Sequence, residues 1–255
     1  FIFISMKIGL IYCAYNTEEY LFDSLKPFRE DPRFIISAVS VPFLEYRDQD
    51  IKVDDTTEKL RKYKESGAIK YLVDSPKYIK EHEARNLALN ELKKDKVDYI
   101  LLCDSDEVYK KEDLDKIVDY ITEDKESIWW RICLKNFVFD EETYLEEPFC
   151  PPRIFRTKTE DLSHPSFYFD NDISYLDKSG QRISYEKLKN DTIPQGWVWV
   201  DHYTWPDNER GKEKQKYQIS HFGLCSFSWD EKKGLTFNEE YYKLRGEEIP
   251  KTREL

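Results

Sequence analysis

The chain has 255 residues, with 40 basic and 51 acidic side chains, a formal charge of -11 and an aromatic share of 15%. The acidic balance argues against general nucleic-acid binding, which needs a basic face. Only 8 Gly and 11 Pro exclude collagen-like and low-complexity classes, and 40% apolar residues are enough to bury a core rather than stay disordered.

No apolar run approaches the roughly 20 residues that span a bilayer. The start, Phe1 to Ser5, is apolar but lacks the basic region and small-residue cleavage site of a signal peptide. Met6 is the lone methionine, so residues 1–5 read as an upstream extension to a single domain over 6–255. The five cysteines, Cys13, Cys103, Cys133, Cys150 and Cys225, form no C-x-x-C pair. Their scatter predicts reduced, mostly buried thiols in a cytoplasmic protein, with no disulfide framework and no thiolate zinc site.

In chain order, 6–13 is a short apolar run that predicts a buried strand. Asn16 or Thr17 then caps a helix to about Phe28, with Glu18 and Glu19 in its first turn. Residues 34–41 predict a second strand, 44–55 a polar loop, and 56–66 a helix ended by Gly67. A short strand at 69–73, a helix at 81–93, a buried strand at 97–103 and a helix from 111 to 121 complete the first half. This alternation predicts an α/β fold with a mostly parallel sheet and helices on both faces. From Ile128 the segments turn short, aromatic and strand-like, which predicts a mixed C-terminal half with helices near 208–219 and 238–244. The change near residue 126 divides the domain into halves, 6–125 and 126–255, without a Gly/Ser linker.

The sharpest chemical signal is Leu101-Leu102-Cys103-Asp104-Ser105-Asp106-Glu107. An apolar strand delivers three carboxylates at its C-terminal end, the edge where open α/β sheets bind ligands. Carboxylates at i and i+2 leave a strand on the same side, so Asp104 and Asp106 suit one hard cation, Mg²⁺ or Mn²⁺. The plainer alternative is a solvated acidic turn before the next helix. Arg85 carries the fork that suits phosphate, or else pairs with Glu81 one helical turn away.

Three stretches in this order, MKIGLIYCAYNTEEYL (6–21), EARNLALNEL (83–92) and DYILLCDSDEVYKKEDLDKIV (98–118), resemble the GT-A glycosyltransferases, the large inverting family with a D-x-D motif. PPRIFR (151–156) and HYTW with KEKQKYQISH (202–221) resemble the family more weakly. Two departures stand out. Cys13 occupies the usual proline position of the first loop, and Asp54-Asp55-Thr56-Thr57 stands where an acidic D-D-G-S run is usual.

The resemblance implies a GT-A-like, Rossmann-like fold and transfer of a sugar from a UDP- or GDP-linked donor to an acceptor hydroxyl. It places Ala14, Tyr15, Asn16, Arg85, Asn86, Asp104, Ser105 and Asp106 around the nucleotide sugar. It gives the metal, Mn²⁺ or Mg²⁺, to Asp104 and Asp106, with His202 completing the shell. His221 reads as structural, while His82 and His164 sit in no cluster. The general base of an inverting transfer falls to Asp161, with Glu160 second and Asp140, Asp170 and Asp172 as rivals. All six tryptophans lie after residue 128, in the half expected to hold the acceptor. Most should pack in the core, with Trp197 and Trp199 on one strand face and Trp205 and Trp229 as candidate sugar platforms. Residues 210–216, RGKEKQK, read as a solvated helix face.

Two other functions fit parts of the pattern. LLCDSDEVY is also similar to the motif of haloacid-dehalogenase-like phosphohydrolases, with Asp104 as nucleophile. A non-catalytic nucleotide- or sugar-binding protein on the same scaffold is the other.

Overall fold

The computed structural model describes residues 6–44, 53–140, 142–157, 168–170, 173–176, 179–205, 215, 219, 225–230 and 234–254. The first elements are β1 (Ile8–Cys13), α1 (Glu18–Arg29), β2 (Phe34–Ser40), α2 (Thr56–Glu65), β3 (Tyr71–Asp74) and α3 (Glu81–Lys93). Then come β4 (Tyr99–Asp104), β5 (Glu107–Val108), α4 (Lys111–Glu123), β6 (Trp129–Arg131), β7 (Leu134–Val138), β8 (Thr143–Leu145) and β9 (Pro152–Arg156). The short strands β10 (Tyr168–Phe169), β11 (Ile173–Leu176), β12 (Arg182–Ser184) and β13 (Asn190–Thr192) follow. The chain ends with β14 (Val200–Trp205), β15 (Phe227–Asp230), β16 (Gly234–Phe237), α5 (Glu239–Arg245) and β17 (Thr252–Glu254).

These elements form two compact units that interleave in sequence. The first takes Phe1–Arg47, Ile51–Cys133 and Cys150–Val200, and the second takes Asp48–Asp50, Leu134–Phe149 and Asp201–Leu255.

The first unit carries a seven-stranded sheet in the order β13-β6-β9-β4-β1-β2-β3. Four neighbouring pairs are parallel and two, β9 with β4 and β9 with β6, are antiparallel. β1 is buried at all six positions, as a central parallel strand covered on both faces must be. Ile8, Leu10 and Tyr12 point to one face, where Tyr12 donates its hydroxyl hydrogen to Ser24 Oγ of α1 at 2.6 Å, since Ser24 donates its own to Tyr20 O. Phe34 points the same way and meets Phe28 of α1 edge to face at 5.1 Å. Ile11 and Cys13 point to the other face and pack with Ala84, Ala88, Leu89 and Leu92 of α3. Helices therefore cover both faces of a mostly parallel sheet, as the alternation in the sequence implied.

Gly9 lies on the α3 face. A Cβ there would sit 2.9 Å from the terminal methyls of both Ile100 and Leu92. Its lack of a side chain lets the helix settle onto the sheet.

The cysteines depart from the expectation of reduced thiols. Cys133 and Cys150 form a disulfide, while Cys13, Cys103 and Cys225 are buried and free. The pairing was not legible because it depends on β6 and β9 lying side by side, with Ile132 N–H donating to Pro151 O at 3.2 Å. The bridge closes the base of the excursion over 134–149.

Val198 and Val200 are buried while Trp197 and Trp199 are not, in keeping with the alternation, but the strand begins later than the pattern suggests. Trp197 N–H donates to Pro194 O at 3.1 Å in a turn with Gly196 at φ +84°, and the strand starts only at Val200. Trp197 is exposed beside Tyr120, at 5.7 Å, whereas Trp129 and Trp130 are fully buried. The side chains of Trp205 and Trp229 lie outside the described residues, as do His164, His221 and most of 210–216.

In the second unit β17, β8, β7 and β14 lie side by side in that order, and β15 and β16 form a hairpin. Its core is a small aromatic cluster in which Phe139 meets Phe227 and Phe237 edge to face. Asn238 caps α5, accepting the Tyr241 N–H at 3.3 Å. Among the described residues, no helix is long and apolar enough to cross a membrane.

Gly9→Val is expected to destabilise the chain by about 1–3 kcal/mol through overpacking. Gly9→Ala should cost less, because the facing atoms are the ends of flexible side chains. Urea unfolding of the two variants beside the wild type measures the difference.

Candidate functional site

The register of the central sheet sets the site. β1 and β4 pair in parallel and end together, with Cys13 opposite Asp104. Ser105 N–H donates to Cys13 O at 2.9 Å, which carries the ladder one residue past β4 before the chain turns. Ser105 is only 3% exposed, so it braces the turn while Asp104 and Asp106 stand half-buried on either side of it.

Three elements bring charge to Asp104. α3 starts beside the end of β4, and Arg85 in its second turn reaches Asp104 Oδ1 at 3.4 Å while also pairing with Glu81 at 2.6 Å. The Glu81 pair expected from the sequence is therefore present, and the same guanidinium also reaches the acidic turn. β9 runs antiparallel to β4 with Ile154 opposite Leu101, so Arg153 precedes the last paired residue and reaches the acidic turn. One of its guanidinium nitrogens donates to Asp104 Oδ2 at 3.2 Å and to Glu107 Oε1. Each oxygen of Asp104 therefore faces a guanidinium, an arrangement ill suited to a free nucleophile.

Glu107 is fully buried and also receives the Tyr109 hydroxyl at 3.4 Å. Burial pushes its carboxyl up to about 8, against the opposing pull of Arg153 and with the added repulsion of Asp104 and Asp106. Burial likewise pushes the Cys13 thiol up to about 12, so it is not a thiolate at neutral pH.

Beside these groups lies a cavity of about 360 Å³ lined by Glu81, His82, Arg85, Arg153, Phe169 and Asp170, among others. Asn86 fixes its wall rather than entering it. Its amide donates to Phe169 O at 2.6 Å and accepts the Phe169 N–H at 2.8 Å. Asp170 accepts from Ser174 Oγ at 3.0 Å and pairs with Arg182 at 2.9 Å.

The β1–α1 loop forms a second, open cleft of about 490 Å³, lined by Asn16, Glu18, Glu19, Asp54 and Lys59. Asn16 sits at φ +54°, a conformation asparagine tolerates better than most residues. Its Oδ1 accepts the Asp54 N–H at 3.2 Å, while Asp54 accepts the N–H groups of Glu18 and Thr56 at 3.0 and 2.9 Å. The acidic 54–57 run therefore ties the loop to the start of α2. Ala14 is buried with its N–H on Val39 O, and Tyr15 is half-buried, its hydroxyl pushed up by burial with Tyr78 and Asp54 nearby.

Among the described residues, no group of three or more His, Cys, Asp or Glu is arranged to hold a metal ion. Asp104 and Asp106 fit a hard cation as a two-carboxylate set, since Mg²⁺-like ions keep several waters and take substrate phosphate oxygens. His202 belongs to the second unit, where its Nδ1 lies 2.5 Å from Asn136 Oδ1. Glu160, Asp161 and Asp172 lie outside the described residues. Asp140 caps its own turn, accepting from the N–H groups of Glu142 and Thr143.

Reading the sequence missed Arg153 and the buried role of Glu107. The available signal was the pair of arginines, Arg153 and Arg156, in the short strand-like PPRIFR segment.

The sequence model of the family described as Glycosyl transferase family 2 matches residues 48–178, just over half of the chain. That span takes in the α3 arginine, the acidic turn and PPRIFR, but not the first-strand stretch 6–21. No curated protein matches the chain. Among solved structures, S. aureus TarS 1-349 is 18% identical over 86% of this chain and 66% of its own, with a TM-score of 0.48. The same protein in complex with UDP-GlcNAc is 17% identical over 86% and 67%, at 0.49. The mannosyltransferase PcManGT from Pyrobaculum calidifontis, in complex with GDP-Man and Mn²⁺, is 12% identical over 85% and 63%, at 0.47. The chain spans 40% of the longer TarS chain.

The raised carboxyl of Glu107 has a pH signature. An ordinary glutamate ionises near 4.3 in the unfolded chain. Between that pH and about 8 the folded state therefore holds the extra proton, and stability falls as pH rises through this window. Relative to Glu107→Gln, the wild-type melting temperature should decline from about pH 5 to pH 8 and level off above it. A difference that stays flat over this range would contradict the assignment.

Proposed function

The chain belongs to the glycosyl transferase family 2, and from that premise we propose that it moves a sugar from a nucleotide-diphosphate donor to an acceptor hydroxyl at the C-terminal edge of its sheet. The observation that carries this reading is the junction at Asp104. Strand β4 ends there beside β1, and the turn that follows presents Asp106 and meets Arg85 and Arg153.

In this reading the cleft at Asn16 and Asp54 takes the nucleoside, with Ala14 and Tyr15 beside it. Arg85 and Arg153 pair with the diphosphate as forked, charge-assisted donors. Ser105 holds the turn through its backbone, so that Asp104 and Asp106 keep a fixed spacing. These two carboxylates would hold Mn²⁺ or Mg²⁺, and the family resemblance is what names His202 as a further ligand. When bound, the cation neutralises charge on the leaving diphosphate.

The donor sugar or acceptor occupies the cavity of about 360 Å³, where Phe169 offers an apolar face and Asp170 a carboxylate. An inverting transfer needs a base to take the proton from the attacking hydroxyl. Asp161 and Glu160 are the candidates that the family resemblance implies, and of their rivals Asp170 lines the cavity. UDP- or GDP-linked sugars are the proposed donors, and a cytoplasmic setting is the proposed location.

A panel of nucleoside diphosphates, with and without Mn²⁺, tests the reading by thermal shift. A ligand at 100 times its Kd should stabilise the fold by about 2.7 kcal/mol. UDP or GDP is expected to raise the melting temperature, and more so with Mn²⁺. No shift with any member of the panel would sink the proposal. If a donor is found, amide substitution of the true base among Glu160, Asp161 and Asp170 should lower kcat by about 10²–10⁴-fold, and the other two substitutions should not.

A further inference from the structure

Asp104 is held from two sides. Its Oδ1 faces Arg85 at 3.4 Å and its Oδ2 faces Arg153 at 3.2 Å. A divalent cation arriving alone would meet two positive charges at contact distance from the oxygens it needs, and Coulomb repulsion opposes it. A diphosphate has the opposite effect, because its oxygens are better acceptors for a guanidinium fork than a single shared carboxylate. Both arginines have capacity to spare. The Nε of each is buried without a hydrogen-bond partner, and both line the same cavity.

We infer that Arg85 and Arg153 gate Asp104. They neutralise it while the site is empty and turn to the diphosphate when the donor arrives, so that cation and nucleotide bind as a coupled pair. The two arginines are positioning residues for the cation, acting through Asp104. The inference rests on the nucleotide-sugar reading above and adds to it a direction of coupling. Linkage makes the effect reciprocal, so the nucleotide tightens the cation by the same factor that the cation tightens the nucleotide.

The test is Mn²⁺ binding to the full chain, followed by the electron paramagnetic resonance signal of free Mn²⁺, alone and with UDP or GDP. In the wild type the nucleotide should tighten Mn²⁺ by at least about tenfold. Arg85→Met should bind Mn²⁺ more tightly than the wild type without nucleotide, and show a smaller gain on adding it. A merely structural role for Arg85 would not strengthen Mn²⁺ binding.

Arg153 cannot be removed alone without stranding Glu107, so the second variant is the double substitution Arg153→Met with Glu107→Leu. It replaces the buried pair by apolar groups of similar volume, a change that proteins tolerate. It should move Mn²⁺ affinity in the same direction as Arg85→Met. Equal Mn²⁺ affinity with and without a nucleotide that binds would overturn the gate and leave the glycosyltransferase reading standing. So would variants whose Mn²⁺ affinity is unchanged or weaker. A chain that binds no nucleoside diphosphate under any condition overturns both.

Discussion

The fold's chemistry turns on a carboxylate delivered by a buried strand to the edge of a sheet. β4 is buried along its length until Asp104, where the chain turns with half-buried carboxylates at 104 and 106, followed by the fully buried Glu107. Crowded negative charge in a half-buried setting is unfavourable unless cations are placed against it. Arg85 and Arg153 meet that requirement from two different elements. Arg85 depends on the seat of α3, which depends on the absence of a side chain at Gly9. Arg153 depends on β9 entering the sheet antiparallel between β4 and β6. The site is therefore a consequence of sheet order, and a slip in β9 of one residue would turn Arg153 to the opposite face.

The same order explains the disulfide. Where β6 ends and β9 begins, the chain departs for the second unit and comes back, and Cys133 and Cys150 stand at the two ends of that excursion. Three residues after the bridge comes Arg153. The covalent tie and the Ile132–Pro151 hydrogen bond both fix the start of the strand that carries this arginine.

Much of the first unit was legible because its signals are local. Apolar runs of strand length and helical spacing gave β1, β2, α3 and β4 within a few residues, and α3 without error. Asp104 and Asp106 stood out because an acidic turn directly after LLC is chemically odd. The turn at Asn16 was expected, but the role of Asp54 in holding it was not, since the two lie 38 residues apart. Arg153 was hidden for the same reason, being 49 residues from Asp104 and 46 from Glu107. Contacts of that range are set by strand order, which periodicity does not encode. The alternation in WVWV pointed to a strand, but Pro194 and Gly196 set a turn that takes in Trp197, so the strand starts only at Val200.

In the proposed function the acidic edge at Asp104 and Asp106 acts on a nucleotide-diphosphate sugar. Release of nucleoside diphosphate from a panel of UDP- and GDP-linked sugars, measured with Mn²⁺ for the wild type and for Asp106→Ala, tests it most directly. The wild type is expected to turn over at least one donor and the variant to lose about 10²-fold or more, as removal of a group stabilising the leaving charge requires. Turnover by Asp106→Ala at the wild-type rate would contradict it.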